Sequence, residues 1–376
     1  MARLARVEVF SADETAIVHV MNRTVRRCFL LGDDAVTGKN YDHRKIWIDE
    51  QLIHQAKHFG IDLLCQAIMS NHLHLVLRSR PDVVKEWDDN EVARRWLMLC
   101  PERRDEKRRP LEPSEFEISS IRNDKQKLAT VRSRLSDISW WMRLLSQNIA
   151  QRANKEDGEL GKFWQARYRA VRLLDETAIL ACAAYVDLNP IRAAIATTIE
   201  DSDFTSAQKR AAELMARSGS RATQQDSETT KASFGHSVAS SHVAGEKGRG
   251  SRDARHLAPV DLKERSGETG PCVHKAGARC SNKGFLPMST ADYLTLLDWT
   301  ARQQRLDKPG TTPKEFGHLF ERLGISTEVW SELVRNFGRL FSVVAGKPAT
   351  VDSHSSRSGS HRYRTRPVAR DLLATA

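Results

Sequence analysis

An α+β fold is expected for the first half of the chain, on three observations. Apolar side chains recur at every second position in 15–24, 61–69 and 72–78, the period of a strand with one buried face. They recur at every third or fourth position in 46–59 and 136–154, the period of a helix packed along one stripe. Read in chain order, with a further strand and helix after 160, these give strand, helix, strand, strand, helix, strand, helix.

The first strand, 15–24, places Ile17, His19 and Met21 on one face and Val18 and Val20 on the other. Asp33, Gly38 and Asn40 mark the following loop. Ile48, Leu52, Ile53, Ala56 and Phe59 keep helical spacing, and Gly60 stops that helix. The strand 61–69 turns at Ser70-Asn71 into a strand at 72–78. There His72 and His74 project from one face, while Leu73, Leu75 and Leu77 project from the other. Two imidazoles side by side on a strand are half of a metal site, or two structural histidines.

Residues 80–133 read as a charged, solvated insertion with one amphipathic segment at 92–99. Ser136 is the expected N-cap of the helix at 136–154, which carries Trp141, Met142, Leu145 and Ile149 on one stripe. A fourth strand, rich in Arg and aromatics, is expected at 163–174. Asp175 caps a third helix that runs to about Leu188, where Asn189-Pro190 ends it. A short basic helix at 206–217 closes a first unit, 1–215.

Residues 216–285 are rich in Ser, Gly, Thr, Lys and Arg, and read as a disordered linker. Three helical stretches follow in 286–346, starting at Ser289, Thr312-Pro313 and Ser326, as a small bundle packed on itself. The tail, 347–376, is basic and expected to be disordered.

Lys and Arg number 59 against 48 Asp and Glu, a net charge of +11. That excess suits a polyanionic partner, nucleic acid more often than an acidic membrane, or a merely solvated basic surface. The six cysteines make no CxxC pair, so reduced thiols and a cytoplasmic location are expected. Cys272, His274 and Cys280 fit no zinc module. No apolar stretch reaches the roughly 18 residues of a membrane span, so no membrane partner is expected.

Of the five tyrosines, Tyr41 sits in a loop, and Tyr293 and Tyr363 follow the linker; Tyr168 and Tyr185 remain as nucleophile candidates. Asn189 lies four residues beyond Tyr185, on the same helical face. The pair reads either as a converging site or as a core-edge tyrosine with a C-capping asparagine.

Four pieces together carry a resemblance: His19-Val-Met-Asn-Arg23, Met69-Ser-Asn-His-Leu-His-Leu75, Trp164-Gln-Ala-Arg167 and Tyr185-Val-Asp-Leu-Asn-Pro190. Over residues 14–200 the chain resembles the single-tyrosine HUH transposases, in particular the REP-associated tyrosine transposases. The resemblance implies a ferredoxin-like β-α-β-β-α-β-α sandwich with an antiparallel sheet. It implies a Mg²⁺ or Mn²⁺ ion held by His72, His74 and Asn189, and Tyr185 as the nucleophile on single-stranded hairpin DNA through a 5′-phosphotyrosine link. DNA contacts would fall to Asn22, Arg23, Lys162, Trp164, Arg167 and Arg169, with Arg26, Arg27 and Arg172 as further phosphate contacts. The chain would act as a monomer or homodimer. A hairpin-binding regulator that does not cleave is the alternative expectation.

Overall fold

The computed structural model describes residues 9–10, 13–25, 28–34, 38–229, 251–262, 273–303, 314–359 and 363–374. Arg26, Arg27, Cys272 and the Thr312-Pro313 helix start lie outside the described residues.

The chain runs β1 (Ile17–Arg23), α1 (Asp42–His58), β2 (Ile61–Ile68), β3 (His72–Ser79), α2 (Pro81–Lys85), α3 (Asp89–Leu99), α4 (Glu115–Arg122), α5 (Lys125–Leu135) and α6 (Ile138–Asp157). It continues with β4 (Arg169–Leu173), α7 (Glu176–Asp187), α8 (Asn189–Arg192) and α9 (Ser206–Thr229). The remainder is α10 (Thr290–Gln303), α11 (Lys314–Leu323), α12 (Thr327–Leu340), β5 (Val344–Ala345), α13 (Pro348–Ser358) and α14 (Pro367–Ala374).

The fold is mixed α+β around one sheet ordered β2-β3-β1-β4-β5. Neighbours pair antiparallel from β2 to β4, whereas β5 joins β4 in parallel, so the sheet is not wholly antiparallel. Side chains alternate across it and fill two apolar layers. Leu73, Leu75 and Leu77 pack with Leu52, Trp141 and Leu145 of α1 and α6. Val76 and Val171 pack on the opposite side with α7 and with Trp330, Leu333 and Phe337 of α12.

Several expectations are corrected. Residues 80–133 are not a solvated insertion but hold α2 to α5, whose Val92, Leu97, Ile121, Leu128 and Val131 are buried. Their polar faces mask that burial; Pro81 opens α2, and capping side chains start α3 to α5: Asp88, the Ser114–Glu117 capping box, and Asp124. The N-cap of α6 is Asp137, not Ser136; its carboxylate accepts from the Ser139 amide at 2.6 Å. The fourth strand contracts to Arg169–Leu173, because Phe163 and Trp164 fold back over α6.

The expected linker, 216–285, is ordered where described: α9 runs on to Thr229, and His256, Leu257, Val260 and Ser281 are buried. Polar anchors replace the missing bulk. Asp62 of β2 holds Arg78, Arg80 and the Ser281 hydroxyl, and Arg78 donates to the Gly284 carbonyl at 2.8 Å. The tail, 347–376, carries α13 and α14 rather than disorder. Nor does the C-terminal region pack only on itself, since its apolar residues share one cluster with α7. Tyr293 Oη donates to buried Asp187 at 2.7 Å, and the Lys347 amide donates to Asp175 at 2.6 Å.

Candidate active site around Tyr185

The register of β1, β3 and β4 brings together what the sequence separates. Arg23 pairs with His72, Met21 with His74 and Arg169, and His19 with Val171. Helix α7 lies over this face. The Asp175 carboxylate caps its start at 2.9 Å from the Ala178 amide, and small side chains at 181–184 let it sit close to the sheet.

Tyr185 therefore stands edge-on to both histidine rings, with centroids 5.5 Å from His74 and 5.9 Å from His19. Phe337 of α12 lies 5.7 Å away on another side. The Arg192 guanidinium covers the Tyr185 ring at 4.1 Å and donates to the Tyr185 carbonyl at 2.9 Å. Tyr168, the other candidate, is buried elsewhere, with its hydroxyl 3.3 Å from Ser139 Oγ.

The histidines form a chain of contacts. His19 Nε2 lies 2.8 Å from His74 Nδ1, and the two rings stack. His72 Nδ1 lies 2.6 Å from Asn71 Oδ1, an acceptor, so that nitrogen is the donor and Nε2 keeps its lone pair. With His74 Nδ1 as donor to His19, His74 also presents a bare Nε2. Burial pushes His72 down to about 4 and His19 to about 3, the nearby arginine charges adding to it, and holds His74 well below its ordinary value. Neutral imidazoles with outward lone pairs are the ligand form.

Asn189 is buried, and its Nδ2 has no partner among the described residues. It does not cap α7, since the cap is Leu188; Asn189 opens α8 instead. Among the described residues no three His, Cys, Asp or Glu side chains converge to hold a metal by themselves. The imidazole lone pairs of His72 and His74 suit a cation, whereas the Asn189 atom left without a partner is an N–H donor, so only its Oδ1 could serve as a ligand.

The six expected DNA contacts divide between two cavities. Arg23 and Arg169 line the tyrosine cavity, about 370 Å³, with Arg192, Arg335 and Arg339. Among the described residues no carboxylate lines it. Asn22, Lys162, Trp164 and Arg167 line a second cavity of about 550 Å³ beside α6. Asn22 is committed to internal bonds, donating to Ser146 Oγ at 3.1 Å and accepting from the Arg23 amide. The Trp164 indole donates to the Ser146 carbonyl at 2.8 Å.

Sequence reasoning missed Arg192, Arg335, Phe337, Gly338 and Arg339. Arg192 lies seven residues beyond Tyr185, past the helix end at Leu188, where sequence periodicity no longer sets its direction. The α12 residues carry no local signal, because only tertiary packing brings them to Tyr185.

No family model matches the chain, and no curated protein matches it. A solved structure described as a REP-associated tyrosine transposase bound to a REP hairpin aligns with 56% of this chain and 86% of its own, at 12% identity and a TM-score of 0.32. That likeness is too low to argue from. No helix among the described residues is long and apolar enough to cross a membrane.

Proposed function

We propose that the chain is a divalent-cation-dependent DNA endonuclease and strand transferase that cleaves single-stranded hairpin DNA with Tyr185. The observation that carries the reading is the juxtaposition of Tyr185 with His74 at 5.5 Å, in a cavity rimmed by arginines and free of carboxylates. The strand order β2-β3-β1-β4, with α1, α6 and α7 around it, supports a ferredoxin-like core.

In this reading His72, His74 and Asn189 hold Mg²⁺ or Mn²⁺, which supplies Lewis-acid stabilisation of the phosphate when bound. Tyr185 Oη attacks the scissile phosphorus as its proton leaves to solvent. A tyrosine O–P bond forms, the P–O3′ bond breaks with its electron pair on the 3′-oxygen, and that oxygen takes a proton from solvent to become the 3′-hydroxyl. The link conserves the phosphoester, so a 3′-hydroxyl of another strand attacks it and releases Tyr185 without ATP. Arg192 fixes the Tyr185 ring, and His19 fixes the His74 ring.

The test incubates protein with labelled hairpin DNA and Mn²⁺. A covalent adduct is expected, and is lost in Tyr185→Phe and His72→Ala. Adduct formation by Tyr185→Phe contradicts the proposal. Hairpin binding without adduct in either metal favours the non-cleaving regulator instead.

A further inference from the structure

We propose that α12 supplies one wall of the nucleic-acid groove, with Arg335 and Arg339 holding backbone phosphates of the strand that enters the Tyr185 cavity. This inference rests on the nuclease reading of that cavity.

Arg335 and Arg339 stand on either side of a kink at Asn336 in α12; both are exposed and both line the tyrosine cavity. Neither has a carboxylate partner among the described residues, whereas Arg44, Arg78, Arg94, Arg103, Arg172 and Arg322 do. Arg23, Arg169 and Arg192 face them from β1, β4 and α8. Arg23 Nε is buried there with no hydrogen-bond partner among the described residues. Cations gathered on two sides of a carboxylate-free cavity repel one another until a polyanion enters. Arginine forks match the oxygens of successive phosphates.

The wall is a fixture rather than a lid. Val329, Trp330, Leu333, Val334 and Phe337 are buried. β5, just after α12, is hydrogen-bonded to β4. The Arg366 guanidinium also donates to the Arg339 carbonyl at 2.5 Å, steadying the end of α12.

The test uses the full chain and a fluorescent DNA hairpin with single-stranded flanks, with anisotropy read over a salt series. Single-stranded contacts give a slope of about −0.7 per phosphate neutralised, so R335A/R339A is expected to flatten log K against log salt by about 1.4. R335K/R339K is expected to keep most of the slope, and Arg217→Ala, on exposed α9, all of it. Both arginines are exposed, so melting temperatures are expected to be unchanged. An unaltered slope in R335A/R339A overturns the inference and leaves the cleavage reading standing. A flattened slope together with adduct formation by Tyr185→Phe supports the inference and removes Tyr185 as nucleophile. If the wild type binds no hairpin DNA, both fall.

Discussion

Gly338 is where α12 meets the proposed nucleophile. A Cβ placed there would lie 2.9 Å from Tyr185 Oη and 3.5 Å from Cζ. That is roughly 0.5 Å inside ordinary van der Waals contact, so Gly338→Ala must displace the hydroxyl. Misplacement by about 1 Å costs on the order of 100-fold in a positioned reaction, so a shift of roughly 0.5 Å corresponds to about tenfold, ~1.4 kcal/mol. Gly338→Val, with two further methyl groups, is expected to approach the full 100-fold loss. Stability should move the other way or not at all, because Gly→Ala inside a helix gains about 0.5–1 kcal/mol. The assay pairs single-turnover adduct formation with a thermal melt of each variant. Wild-type rates in both variants would refute the idea that α12 confines the Tyr185 hydroxyl. A rate loss that tracks a fall in melting temperature would refute it too, by assigning the effect to folding.

Three further outcomes follow from named contacts. His19→Ala removes the partner of His74 Nδ1, so the Mn²⁺ concentration for half-maximal adduct rate should rise about 10- to 100-fold; an unchanged requirement contradicts the positioning role. Leu97→Ala should lower unfolding free energy by about 2–5 kcal/mol in a denaturant titration, since Leu97 is buried, whereas a solvated segment would show almost no change. Burial pushes His256 from 6.5 down to about 4, so its contribution is complete above 6.5 and is lost as pH falls through 4. That contribution is at most roughly 3 kcal/mol, and His256→Gln should flatten the acid side of the melting profile; an unaltered profile contradicts it.

The strand pair 61–79 was legible because it is built of local alternation across the Ser70-Asn71 turn, although the register shift between Leu63 and Cys65 carried no signal of its own. Helix α1 was legible for the same kind of reason: Ile48, Leu52 and Ala56 recur on one stripe. Of the helices between β3 and α6, α3 showed as the amphipathic segment 92–99, but α4 and α5 did not, because each carries only a few apolar residues among many polar ones and gains its burial from the others. Their capping residues were a readable signal that composition outweighed. Segment 273–286 was hidden differently. It docks through Asp62, Arg78 and Arg80, a buried polar network that no hydrophobic pattern announces.

The site divides in the same way. His72, His74 and Tyr185 stood out because residue type and spacing are local. His19 joins them only through strand register, and Phe337 and Gly338 only through packing of α12 on α7. On sequence alone Arg335 and Arg339 look like an ordinary solvated helix face.

The most direct measurement is the site of the DNA adduct. After reaction with hairpin DNA and Mn²⁺, nuclease trimming and trypsin digestion place Tyr185 in peptide 173–192 and Tyr168 in the dipeptide 168–169. Mass spectrometry is expected to find the nucleotide mass on peptide 173–192, at Tyr185. A nucleotide mass on Tyr168, or hairpin cleaved with no modified tyrosine at all, would contradict Tyr185 as the nucleophile.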